Sequence, residues 1–311
     1  MTALRAHRRG GPEMLNVERA PVPVPAEGEA LVAVHAAAIT FDELGWEETW
    51  LRDGTDRTPI IPSHEVSGVV SALGPGVADV AVGDEIYGLV PFDRDGAAAE
   101  YVALPVANLA ARPATVSHAV AAALPLAGLT AWQALVDHAR VQPGEHVLVH
   151  GGAGGVGALT VQLAGILGAE VSATVRSDAG DLVRDLGADH VIDTRTTAFD
   201  VQTEAYDVVV DTVGGSTLER SFAVLRRGGR LVTLSAPPPE GRAEEFGVQA
   251  TFFIVGPDRE QLARLASYVD EDRLHVAIAA TFTLADGRAA FASKTGPHRR
   301  PGKTVLVVRD H

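Results

Sequence analysis

The chain has 311 residues, 46% hydrophobic and 21% charged, with a formal net charge of -14. That length suits two ordinary domains, and that balance suits a globular protein. The acidic excess argues against a nucleic-acid partner, which needs clustered cations to displace counterions from phosphates. Cysteine is absent, which excludes disulfides, thiolate zinc sites and a thiol nucleophile. No apolar run is long enough to span a bilayer. Met1-Thr2-Ala3-Leu4-Arg5 lacks the regions of a signal peptide, so a cytoplasmic protein is expected. The one small basic cluster, Arg299-Arg300 with Lys294 and Lys303, reads as a solvated loop.

From residue 1 to about 118 the pattern is short and strand-like. Apolar runs near residues 29–37, 66–73, 86–90 and 100–104 are separated by Gly, Pro and Asp turns, which describes a compact β-rich domain. Residues 116–138 have helical spacing, interrupted around Leu124-Pro125. From 144 to about 254 strands and helices alternate, which implies a parallel sheet covered on both faces. Residues 251–255 read as its last, exposed strand, an edge that invites pairing with a second copy, so a homodimer is expected. A helix near 260–270, a strand near 276–282, a helix near 285–292 and a terminal strand at 303–308 complete the chain. That last strand is expected to return to the first domain. The division expected is therefore 1–118 completed by 275–311, and 119–274.

At the centre lies His150-Gly151-Gly152-Ala153-Gly154-Gly155-Val156-Gly157. It follows an apolar run at 145–149 and precedes Leu159, Val161, Leu163, Ile166 and Leu167 at helical spacing. Gly152, Gly154 and Gly157 satisfy G-x-G-x-x-G in a strand-turn-helix setting. There glycines permit the tight turn, the approach of backbone to a pyrophosphate and close helix packing. The pyrophosphate would meet the free N–H groups of the helix start. A second strand, 170–175, ends Thr174-Val175-Arg176-Ser177. An acidic residue there selects NAD and a cation selects NADP. Arg176 offers a charge-assisted contact to a 2′-phosphate, with hydroxyl donors from Thr174 and Ser177; Asp178 is a competing candidate but lies beyond the position of the usual acidic residue. NADPH is the cofactor expected.

Several stretches, taken in order, resemble the medium-chain dehydrogenase/reductase superfamily and within it the zinc-free quinone oxidoreductase branch. They are Gly10 to Leu15, Ser63-His64-Glu65 to Val70, Val82-Gly83-Asp84 and Leu129-Thr130-Ala131-Trp132. The series continues with Gly144 to Gly157 and Gln162, Leu186-Gly187-Ala188-Asp189, Asp207 to Gly215, Gly228 to Val232 and Gly302 to Val307. The resemblance implies an α/β protein: a Rossmann doubly wound parallel sheet plus a GroES-like β-rich catalytic domain, with the active site in the cleft between them. It places Thr130 near the nicotinamide, Thr212, Leu234 and Ser235 at strand ends lining the cleft, and Phe253 and Ile254 beside the carboxamide. For the Phe252-Phe253 pair, core or dimer-interface packing is the alternative.

His64-Glu65 stand where zinc-dependent relatives carry a ligand, but the cysteines that complete those sites are missing, so no metal is expected. The implied chemistry is hydride transfer from NADPH to a planar quinone or an α,β-unsaturated carbonyl. The residues expected to carry it are Thr40, Asp42 and Trp46. Relatives commonly have Asn where Thr40 stands, and a tyrosine further on that protonates the enolate. No tyrosine occurs between Ala37 and Val70, which leaves protonation to water or to Asp42 or Glu43. Trp46 and Trp50, four apart, form either an aromatic wall or ordinary helix packing. A non-catalytic NADPH-binding protein is the competing functional class.

Overall fold

Parallel pairing of His146–His150 with Glu170–Val175 on one side and Tyr206–Asp211 on the other forms the centre of a six-stranded sheet. The computed structural model describes residues 1–176, 178–201, 205–295 and 300–309; Ser177 and Arg299 lie outside the described residues. The sheet runs in the order His190–Asp193, Glu170–Val175, His146–His150, Tyr206–Asp211, Leu225–Thr233, Gln249–Phe252. Every pairing in it is parallel. Val147, Leu148 and Val149, like Val208, Val209 and Val210, are fully buried, as strands covered on both faces must be. Chain order reverses beside His146–His150, the switch point at which doubly wound sheets bind ligands beyond their carboxyl ends.

Two compact units are built from interleaved stretches of chain. Unit 1 comprises Met1–Leu126, Pro257–Glu271 and Val276–His311; unit 2 comprises Ala127–Gly256 and Asp272–His275. The Rossmann sheet belongs to unit 2. Unit 1 holds a seven-stranded, largely antiparallel sheet in the order Ile278–Thr283, Lys303–Val307, Glu29–Ile39, Glu65–Leu73, Glu85–Leu89, Leu109–Ala111, with Tyr101–Pro105 also paired to Glu29–Ile39. Its core gathers Val32, Val34, Val66, Val70, Leu104 and Leu109, all nearly inaccessible to water. Each such side chain contributes about 1.5–3 kcal/mol over remaining exposed.

The helix Arg259–Asp270, expected inside the nucleotide-binding segment, packs with unit 1. Its buried positions Leu262, Leu265, Ala266 and Val269 recur at helical spacing, and Asp258 caps it by accepting from the N–H groups of Glu260 and Gln261. Tyr87 Oη donates to the Leu262 carbonyl at 2.5 Å, and Asp270 accepts from Thr115 N and Oγ1 at 2.9 Å. The helical stretch expected at 116–138 divides into His118–Ala122, Pro125–Trp132 and a π-helical turn Gln133–His138. The break comes at Pro125, which lacks the N–H that would continue the first helix. Among the described residues no helix is long and apolar enough to cross a membrane.

The basic cluster is not a solvated loop throughout. Lys303 opens the strand Lys303–Val307 and its ammonium pairs with Glu65, the two side chains being 11% and 1% exposed. Local sequence shows the cationic neighbours of Lys303 but not the carboxylate that the sheet brings to it.

Candidate active site and cofactor cradle

The glycine turn does what its residue types allow and others would not. Gly151 has φ of +75°, a left-handed conformation that costs glycine nothing. A Cβ on Gly152 would lie 2.9 Å from Ala173 Cβ, and one on Gly157 would press into the backbone of Gly151. The helix Gly155–Ile166 starts at Gly154 with no side-chain cap. Its first-turn N–H groups, on Gly155, Val156 and Gly157, have no intrahelical carbonyl to bond and stand where a diphosphate anion is stabilised by the helix end. Thr174 anchors the turn from the next strand: its Oγ1 accepts from Gly151 N at 3.1 Å and its carbonyl from Gly152 N at 2.9 Å.

Beneath the turn His150 is fully buried, with Nδ1 3.2 Å from Thr174 Oγ1 and Nε2 3.0 Å from Ser221 Oγ. Burial drives its pKa down to about 4, so it is a neutral hydrogen-bonding spacer. On the far side of the strand ends Asp211, also fully buried, accepts from the N–H groups of Val213 and Gly214, both at 3.0 Å, and from Thr233 Oγ1 and Ser235 Oγ. Thr212 Oγ1 donates to the His150 carbonyl at 2.7 Å. Thr212 and Ser235, with Leu234 between Thr233 and Ser235, thus share the carboxyl edge of the sheet with Gly152 to Gly157. Thr130 is buried in the helix Pro125–Trp132. Phe253, just past the edge strand Gln249–Phe252, lies against His138 with ring centroids 4.3 Å apart, and Ile254 is 66% exposed.

A cavity of about 600 Å³ opens beside Thr174, lined by Arg176, Thr194, Arg195, Phe199 and Arg220 among others. Two of its three guanidinium groups are committed. Arg220 bonds Asp200 at 2.8 Å and lies over the Phe199 ring. Arg195 bonds Asp178 at 2.8 Å and both oxygens of Asp193. The acidic competitor Asp178 is paired, sharing Arg195 with Asp193, while Arg176 is exposed at the strand end with no carboxylate within ion-pair range among the described residues. Arg195 is the residue that the sequence did not single out; its place, two residues past the third parallel strand, was the available signal.

In unit 1 a second polar group of residues surrounds the end of Glu29–Ile39. Glu43 is fully buried, its Oε2 accepting from Ser63 N at 3.1 Å and its Oε1 from Thr40 N at 3.4 Å. Burial raises its pKa to about 8, so it is a neutral acid at neutral pH. Asp42, one residue earlier, is 70% exposed and pairs with Lys294. Thr40 is half-buried and its Oγ1 accepts from Lys303 Nζ at 3.3 Å. Trp46 is half-buried, edge-on to Phe92 at 5.3 Å. Trp50 is in the core at 2% exposure, its Nε1 donating to the Leu44 carbonyl. The two tryptophans therefore do not form one wall.

Residues 26–114 match the family described as alcohol dehydrogenase GroES-like domain, and residues 186–306 the family described as zinc-binding dehydrogenase. The chain is 34% identical over 293 residues to polyketide synthase GfsB of Streptomyces halstedii, covering 91% of this chain but only 5% of that protein. It is 33% identical over 276 residues to the chloroplastic NADPH-dependent alkenal/one oxidoreductase of Arabidopsis thaliana, covering 85% of this chain and 68% of that one. The quinone oxidoreductase of Coxiella burnetii superposes with a TM-score of 0.90 at 30% identity, over 99% of both chains. The chain belongs to the medium-chain dehydrogenase/reductase superfamily. Its branch is that of the quinone oxidoreductases, as the sequence motifs indicated.

In this superfamily unit 2 is the Rossmann unit and unit 1 the GroES-like one. The donors around His64 do not suit the zinc that one matching family's description implies. His64 Nδ1 lies 3.1 Å from the Pro91 carbonyl and Nε2 faces Glu43 at 3.8 Å. Glu65 is taken by Lys303 and by Leu126 N at 3.0 Å. Among the described residues no three His, Asp or Glu side chains converge on one point, and an ammonium occupies the flank of the carboxylate that a cation would need.

Proposed function

We propose that this oxidoreductase transfers hydride from NADPH to an electron-poor π system, a quinone or the β-carbon of an enone, without a metal. Unit 2 holds the cofactor and unit 1 carries the groups that meet the acceptor. The observation that carries the reading is the pairing of a glycine cradle with Arg176 beside it. The amides of Gly155, Val156 and Gly157 receive the pyrophosphate, and Arg176, unopposed by Asp178, receives the 2′-phosphate. Bound reduced nicotinamide supplies the hydride. Thr130, Thr212 and Ser235, at the carboxyl edge or in the helix leading to it, orient the nicotinamide end.

Quinone reduction is favoured over enone reduction by the state of the carboxyl groups in unit 1. Glu43 is sealed from solvent and Asp42 is held by Lys294, so neither presents a proton to carbon, whereas a hydroquinone anion takes its proton from water. Trp46 is the aromatic surface for a planar acceptor. The edge strand Gln249–Phe252 with exposed Ile254 supports a homodimer built by sheet continuation, and the cytoplasm is the compartment proposed.

NADPH oxidation against a panel of quinones and enones, followed by reduced-nicotinamide absorbance, tests the reading. Acceptor-dependent rates, higher with quinones, are expected. Tight NADPH binding without turnover on any acceptor would instead establish the non-catalytic alternative.

A further inference from the structure

Sheet register places a charged anchor against the hydroxyl at the end of the longest strand. In the antiparallel pairing of Lys303–Val307 with Glu29–Ile39, Thr304 stands opposite Ile39, so Lys303 and Thr40 flank the next position on neighbouring strands. Lys303 Nζ reaches Thr40 Oγ1 at 3.3 Å and pairs with Glu65 Oε2. Glu65 is fixed in turn, its Oε1 accepting from Leu126 N at 3.0 Å inside the core. An ammonium has donors and no acceptor. In its bond to Lys303 the threonine oxygen can only accept, so the hydroxyl proton is directed away from the ion pair. Thr40 is half-buried while Glu65 and Lys303 are nearly sealed, so the hydroxyl is free to donate towards the more open side.

We infer that Thr40 donates this hydrogen bond to the acceptor's carbonyl oxygen, and that Lys303, anchored by Glu65, is the positioning residue that orients and polarises the hydroxyl. The inference rests on the reductase reading above. As the hydride pair arrives from the dihydronicotinamide, a π pair of the acceptor moves onto its oxygen and the nicotinamide is oxidised. The anion formed is stabilised by the Thr40 hydrogen bond, Thr40 keeps its proton, and water later protonates the product. A donor already aimed at the oxygen needs no reorganisation as charge builds, which is where such bonds act most strongly.

A double-mutant cycle tests this, with kcat, KM, the NADPH dissociation constant and the melting temperature measured for the native chain, T40V, T40S, K303Q and T40V/K303Q. T40V is expected to lower kcat by roughly a hundredfold to a thousandfold with NADPH affinity unchanged, and T40S to recover most of the loss. K303Q is expected to cost a comparable factor in the native background but less than about twofold in the T40V background, because its effect passes through the hydroxyl. Since K303Q strands the Glu65 charge, K303Q/E65Q replaces it in the cycle if the single variant melts below the assay temperature. Native kcat in T40V, or an equal cost of the Lys303 change in both backgrounds, overturns the inference and leaves the reductase reading intact. Absence of turnover by the native chain overturns both.

Discussion

Nε2 of His64 lies 3.8 Å from Oε2 of Glu43, and neither side chain is open to water. Burial, the largest influence on each, raises the acid to about 8 and lowers the imidazole to about 4, so between those values both are neutral. Folded Glu43 keeps a proton that the unfolded chain releases near 4.5, so its contribution to stability is lost as pH rises from 4.5 through 8. His64 and His150, both depressed to about 4 by burial, refuse a proton that the unfolded chain takes near 6.5, so theirs is lost as pH falls from 6.5 towards 4. Stability is expected to peak at about pH 6. Glu43→Gln should flatten the alkaline limb, and a native melting temperature constant between about pH 6 and 8 would contradict the assignment.

Gly157→Ala should damage the proposed cofactor site. Its methyl group presses into the backbone at Gly151, so the turn or the helix start must shift. NADPH affinity is expected to fall at least about tenfold, or about 1.4 kcal/mol, by fluorescence titration. Gly165→Ala, whose Cβ would meet nothing within 4 Å, serves as the control on the same helix and should bind as the native chain does.

Arg176→Ala is expected to cost about 1.5–3 kcal/mol of binding, the value of a hydrogen bond to a charged group, for NADPH and little for NADH. Arg195→Ala should act on the same preference from the other side. It releases Asp178 and Asp193, which repel a 2′-phosphate and accept from a ribose hydroxyl. The ratio of kcat/KM for NADPH to that for NADH should therefore fall in both variants, and an unchanged ratio in Arg176→Ala would remove the case for NADPH.

The two tryptophans should separate stability from acceptor binding. Trp50→Ala empties a core position and breaks the bond to Leu44, a loss expected at about 3–5 kcal/mol by denaturant unfolding. Trp46→Ala should leave unfolding almost unchanged and raise KM for planar acceptors. A large stability loss in Trp46→Ala would place it in the core instead.

The parallel sheet was legible because buried strands such as Val147 to Val149 are continuous apolar runs set between a turn and a glycine-led apolar helix. The glycine turn was legible because its glycines answer to backbone geometry. What the sequence hid was side-chain direction in short turns and pairing over distance. Asp42 and Glu43 are adjacent and chemically alike, yet the 3-10 turn Glu43–Gly45 buries one and exposes the other. Trp46 and Trp50 have the spacing of helix neighbours, but the chain between them turns, so one meets Phe92 and the other the core. The hairpin of Thr2–Ala6 with Leu15–Arg19 lies outside the predicted strands; in it the apolar Val17 is 42% exposed, so the alternation does not track burial.

Glu29–Ile39 has Lys303–Val307 as a sheet neighbour, and the contact between Thr40 and Lys303 spans 263 positions. At the pace of translation, ~5–20 residues per second, the earlier strand waits about 10–50 s on the ribosome with that edge bare. Unit 2, almost all of which lies between Ala127 and Gly256, is synthesised whole within that interval. Unit 2 is thus complete while the sheet of unit 1 still has an open edge.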